Sequence, residues 1–239
     1  MDLSGYYQLL SVDLLALIWF VICFKGYATY ARKASYTTPC LASVMHLYRT
    51  EWMREMLLRD VRVSDTTTVA NLERGVTFFA STTMLILAGL MTLITRGETA
   101  MGLLASVPGA EILSPLQWDI RIMSMMVLFV FAFFKFTWSL RQYGFVSVMI
   151  GGAPLLTVER VREIDAHANR IAKMASMAAN NFNTGLRSYY FAIAMLVWLI
   201  HSVLFMVVTL IVVWILYRRE FTSSTLRTLG HTEEIKPGS

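Results

Sequence analysis

The sequence predicts an all-α membrane protein with four transmembrane helices and two amphipathic cytoplasmic helices. Three observations carry that prediction. The chain is 56% hydrophobic and only 15% charged, whereas soluble domains are about a quarter charged. Four apolar runs are each long enough to cross about 30 Å of hydrocarbon, which takes roughly 20 helical residues. None of the four alternates with the two-residue period of a barrel strand, and in lipid only helices or closed barrels satisfy the backbone.

The first span is expected at about residues 10–31, around LLALIWFVICF. MDLSGYYQLL before it has no Lys or Arg, so no cleavable signal is expected. The second span, about 74–94, contains GVTFFASTTMLILAGLMTLI, the third covers about 119–140, and the fourth, the longest, about 188–217. The loop from Lys25 to Arg74 holds eight basic residues and the loop from Arg141 to Arg187 holds six, while 95–118 holds only Arg96. Basic residues mark the cytoplasmic side. Both long loops are therefore placed in the cytoplasm and both termini in the periplasm. Arg218, Arg219, Arg227 and Lys236 run against that placement of the C-terminus.

Each long loop carries helical periodicity. Over about 40–62, Leu41, Met45, Tyr48, Trp52 and Met56 recur every three or four residues after Pro39, the pattern of an apolar stripe. Over about 157–182, Val161, Ile164, Ala168, Ile171, Ala175, Ala178 and Phe182 form a strict heptad seam. A seam so rich in alanine lets two backbones approach closely. Its partner is either the first cytoplasmic helix or a second copy of the chain. Thr157 is placed to cap this helix. NNFNTG, 180–185, reads as a break before the fourth span. Residues 222–239 are polar and unpatterned, and read as a tail.

The candidate functional residues start with Lys135, a cation inside the third span with no obvious carboxylate near it. An ionisable residue in a span is a functional hypothesis by default. Lys135 is about 9 Å along the helix from Arg141, so snorkelling to the inner interface is the plain explanation. With Arg74, Arg141 and Arg187 at the inner ends of three spans, it could instead form a collar for an anion or an anionic lipid headgroup. Thr77, Ser81, Thr92, Ser124 and Ser139, with His201 in the fourth span, mark polar faces that either line a pathway or pack helices together. His46 with Glu51 and Glu55, whose spacings do not share one helix face, and Asp165 with His167 are the metal-like sets, and both read as solvated surface. Cys23 and Cys40 form no metal-binding or disulfide framework. No cofactor is expected, no catalytic motif is present, and the basic charge is explained by topology without nucleic acid.

HLYRTEWMREML (46–57), RGVTFFASTTMLILAGL (74–90), FAFFKFTWSLRQY (131–143) and NTGLRSYYFAIAMLVW (183–198) resemble the signature stretches of domain of unknown function 599. That membrane family occurs in bacteria and plants. The resemblance implies four spans, and places Arg49, Trp52, Arg74, Lys135, Trp138, Arg141, Gly185 and Arg187 in recurring motifs without giving them roles. The expectation is a non-enzymatic, homo-oligomeric protein of a bacterial inner membrane. It is either a channel or transporter-like protein with an inner mouth for anions or anionic lipid, or a scaffold that organises phospholipid or a membrane complex.

Overall fold

The computed structural model describes residues 3–38, 40–154 and 164–230. Among these there is no strand. The helices are α1 (Leu3–Thr37), α2 (Leu41–Leu57), α3 (Val63–Thr95), α4 (Gly97–Ala105), α5 (Pro115–Gly151), α6 (Ile164–Trp198), α7 (Ser202–Phe221) and α8 (Ser224–Gly230). Four helical stretches are long and apolar enough to cross a membrane: Val12–Ala34, Val63–Thr95, Pro115–Gly151 and Ser202–Leu229. Pro39, Thr157 and Val161, with the expectations attached to them, lie outside the described residues.

Two boundaries differ from the sequence reading, and each has a local cause. NNFNTG does not break the chain, because α6 runs through it. Asn181 Nδ2 donates to Gln142 Oε1 (2.8 Å), and Thr184 Oγ1 donates to the Asn180 carbonyl (2.8 Å), so these side chains support the helix instead of capping a turn. Gly185 is needed for another reason: a Cβ there would collide with the ring of Phe136. Conversely, the apolar run 188–217 is not one helix. It ends as α6 at Trp198 and restarts as α7 at Ser202. The placement of both termini on one side assumed that this run crosses once.

The chain divides into two compact units. The first comprises residues 1–33, 82–133 and 186–217. Its helix directions follow from the contacts along α1. Trp198 meets Asp13, Phe191 meets Phe20 and Phe24, and Arg187 meets Tyr27, so α6 runs antiparallel to α1. Ser202 meets Asp13, Phe205 meets Phe20, and Tyr217 meets Tyr30, so α7 runs parallel to α1. α5 is parallel to α1 as well, with Gln117 at Asp13 and Phe131 at Phe24. α3 runs the other way, because Leu93 meets Trp118 while Thr83 meets Tyr189. The core is aromatic: Trp198 stacks on Phe205 at 4.9 Å, and Phe20 sits against both Phe191 and Phe205.

The second unit comprises residues 34–81, 134–185 and 218–239. Ala168, Ile171, Ala175 and Ala178 of the predicted seam are buried here, and Ile164 and Phe182 are half-buried. The seam's surroundings come from the same chain. His46 Nδ1 lies 2.9 Å from Ser176 Oγ, Ser139 Oγ donates to the Ala178 carbonyl (2.7 Å), and Phe182 packs on Phe79 and Phe136. The contacts to the seam residues Ala178 and Phe182 come from α3 and α5. The start of the tail is also ordered into structure. Ser223 caps α8, and Tyr48 of α2 donates to the Leu229 carbonyl at 3.4 Å.

Candidate functional site

A charged group in hydrocarbon costs several kcal/mol unless it is paired and fully hydrogen-bonded. The first unit buries two charged side chains, Asp13 of α1 and Arg121 of α5, and the side chain of Arg121 is 0% exposed. Its Nη2 lies 2.7 Å from Asp13 Oδ1, 2.7 Å from Glu111 Oε2 and 2.9 Å from Ser202 Oγ. Its Nη1 donates to the Trp198 carbonyl. Its Nε is buried and finds no acceptor.

Each partner is held in turn. Asp13 Oδ1 also accepts from Trp198 Nε1 (3.0 Å), and its Oδ2 accepts from Gln117 Nε2 (2.8 Å). Gln117 is positioned by the start of α5, where Ser114 N and Oγ donate to its Oε1 at 3.0 Å. Ser114-Pro115-Leu116-Gln117 is a helix-start signature, with Pro in the first turn and the reciprocal serine–glutamine box. Glu111 Oε1 accepts from the Ser202 amide (2.9 Å). Ser202 Oγ lies 3.0 Å from Asp13 Oδ1 and 2.9 Å from Glu111 Oε2, and its one proton can serve only one of them at a time.

This geometry explains the break at 199–201. The last carbonyls of α6 carry partial negative charge and the first amides of α7 carry partial positive charge. Arg121 meets the former and Glu111 the latter. Backbone freed from the helix is tolerated in an apolar setting because side chains from distant segments replace the lost hydrogen bonds.

His201 stands at the rim, with its side chain 42% exposed. Its Nδ1 accepts from the Val203 amide (3.1 Å) and lies 3.4 Å from Glu111 Oε1. An unprotonated Nδ1 can accept from Val203. A protonated Nδ1 can only donate, and Glu111 is the acceptor in reach. Two carboxylates face one guanidinium, so with neutral histidine the cluster carries one excess negative charge. Burial pushes the Glu111 carboxyl up, but hydrogen bonds from Arg121 and from the Ser202 amide and hydroxyl, with the charge of Arg121, more than offset this. They hold it below the usual carboxylate range.

The residues singled out from sequence are distributed differently. Lys135 is half-buried, and its Nζ donates to the amide oxygen Oδ1 of Asn181 at 3.3 Å. Arg141 is exposed and lies over Phe145 at 5.7 Å, in an open groove with Phe134 and Trp138. Six residues turn a helix by about 240° beyond a full turn, so Lys135 and Arg141 leave α5 in different directions. Arg74 is exposed on α3, and Arg187 of the first unit lies over Tyr27 at 5.4 Å. Thr77, Ser81 and Thr92 are all exposed. Thr77 and Thr92 spend their hydroxyls on Glu73 and Ala88 carbonyls of their own helix. Ser124 is half-buried, and Ser139 alone of that set makes a buried contact to another helix. His201 is at a helix start and not within a span. Among the described residues no three His, Cys, Asp or Glu side chains gather to hold a metal.

Sequence reasoning misses Arg121, Asp13 and Glu111 as a set. The available signals are a basic residue six positions into an apolar run after Pro115, and an acid inside the first span. Comparison with known proteins gives one match: the family model described as Protein of unknown function, DUF599, fits residues 15–225. No curated protein and no solved structure matches the chain.

Proposed function

The chain belongs to the DUF599 family, which brings no activity with it, and from the charge cluster we propose a proton-linked, transporter-like membrane protein. The carrying observation is the buried Asp13–Arg121–Glu111 set with His201 at its rim. In this reading the chain crosses five times, with α6 as a crossing beside the four long apolar stretches. Asp13 is then about 18 Å along α1 from Lys25, and Ser202 about 22 Å along α7 from Tyr217. That depth lies within a hydrocarbon core of about 30 Å, toward the outer side of a bacterial inner membrane. Five crossings carry Arg218 and Arg219 to the same side as Arg32 and Lys33, which removes the conflict with the positive-inside rule.

The excess negative charge is what makes the cluster a proton site. A proton entering from the outer side meets His201 first, because it stands at the exposed rim beside Glu111. Its Nδ1 then turns from the Val203 amide to Glu111, weakening the hold of Glu111 on the start of α7. The groups facing this step are Asp13 of α1, Glu111 of the 106–114 loop and Arg121 of α5. An anion mouth has less support, because Lys135 engages Asn181 and Arg141 lies in a separate groove.

The test is dissipation of an imposed pH gradient in liposomes holding the purified protein. Wild type is expected to dissipate it, and Asp13→Asn and His201→Ala to do so far more slowly. A folded wild-type protein that leaves the gradient intact overturns the proposal.

A further inference from the structure

A second feature lies in the first unit, away from the charge cluster. Between α1 and α7 an open groove of about 440 Å³ is lined by Gly26, Tyr27, Tyr30, Leu210, Trp214 and Tyr217. A groove on the outside of a membrane bundle is filled by something apolar. The chemistry at its two ends differs. At the Leu210 end the wall is aliphatic. At the other end Tyr30 and Tyr217 stand with ring centroids 6.1 Å apart, and their phenols are hydrogen-bond donors. Arg32 and Lys33, both exposed, follow Tyr30 within one helical turn.

The floor is open because residue 26 is glycine. A Cβ built at Gly26 meets nothing within 4 Å. Glycine inside a helix costs about 1 kcal/mol relative to alanine, and neither a turn nor a close helix contact accounts for it here. Tyr27 beside it is buried and held under the guanidinium of Arg187 at 5.4 Å, so one wall is rigid.

We infer that this groove holds one acyl chain of an anionic phospholipid, with the phosphate at the Tyr30–Tyr217 end beside Arg32 and Lys33. Charge complementarity selects the anionic headgroup. Aromatic side chains at the headgroup level accept both the ester region and the chain. The inference is independent of proton linkage, because none of its residues belongs to the Asp13–Arg121–Glu111 cluster.

The experiment is native mass spectrometry of the full chain released from nanodiscs of equal phosphatidylglycerol and phosphatidylcholine. Wild type is expected to retain phosphatidylglycerol in preference. Gly26→Leu places a side chain in the groove from a position where a Cβ meets nothing within 4 Å, and should lower retention about tenfold, the loss that follows when some two methylenes lose their cover. Its melting temperature should not fall below the wild-type value, because leucine is the better helix former. Arg32→Gln with Lys33→Gln should abolish the preference between the two lipids. Equal retention in folded Gly26→Leu would mean adventitious lipid only and overturns the inference. If Gly26→Leu does not fold, Leu210→Trp narrows the opposite wall and decides the same question.

Discussion

Arg121 and Trp198, 77 positions apart in the chain, meet at the end of α6. The guanidinium donates to the Trp198 carbonyl and its carbon lies 5.6 Å from the indole centroid. One side chain thus closes a helix end and faces two carboxylates with its single positive charge. Removing it leaves Asp13, buried, and Glu111, half-buried, without that guanidinium. Arg121→Met is expected to cost about 3–5 kcal/mol, measured by unfolding in mixed detergent micelles. Adding Asp13→Asn should restore part of that loss. A double variant as unstable as the sum of the singles would show that the charges do not act on each other.

Glu111 makes stability depend on acid. Its folded pKa is lower than its unfolded value, so the unfolded state binds the proton more readily. Its contribution is fully present above the unfolded carboxylate value of about 4.3, and is lost as pH falls through the lower folded value. Melting curves should therefore decline on acidification below about pH 4.3, and Glu111→Gln should flatten that decline. An identical slope in the variant would assign the acid sensitivity elsewhere.

Gly185 is expected to tolerate no side chain. A methyl group there meets the Phe136 ring, which is itself fully buried. Gly185→Ala should lower stability by about 1–3 kcal/mol through overpacking, despite alanine's better helix propensity. Phe136→Leu in the same chain should recover part of it. A stabilised Gly185→Ala would mean that Phe136 moves aside at no cost.

The proposed five-crossing arrangement predicts opposite accessibility at two positions. Glu98→Cys, before the charge cluster, should react with a membrane-impermeant thiol reagent added to intact cells. Ser224→Cys, at the start of α8, should react only after the membrane is opened. Both are to be read in a Cys23→Ala, Cys40→Ala background. Labelling of both from outside would restore an even number of crossings.

Asp65, 2% exposed, accepts from Trp52 Nε1 at 2.7 Å and from Arg59 Nη1 at 3.1 Å. It thereby ties the first turn of α3 to α2. Asp65→Ala should leave the indole N–H of Trp52 without its acceptor, at about 1–3 kcal/mol, with a shift in Trp fluorescence as the second readout. Unchanged stability would mean that water replaces the carboxylate.

The legible parts of this chain were those set by short stretches. The first three apolar runs appear as helices because their length and composition suffice. The alanine seam is buried, as its three-and-four spacing implies. Residues 180–185 carry the signal of a break because Asn181, Thr184 and Gly185 are turn-forming types, whereas in the fold they meet Gln142, the Asn180 carbonyl and the ring of Phe136. Lys135 drew attention for lacking a carboxylate, and its neighbour proved to be an amide 46 positions away.

The sequence by itself determined that this is a helical membrane protein, because apolar length and the absence of alternation act through nearest neighbours along one helix. Tertiary structure alone decided where the last apolar run breaks. LVWLIHSVLF carries almost no polar signal; the helix ends there because Arg121 and Glu111 arrive from elsewhere to take its free carbonyl and amide. In a medium without water, a broken helix is stable only where distant side chains supply the missing hydrogen bonds. No local reading of spacing can place partners 77 and 91 residues away.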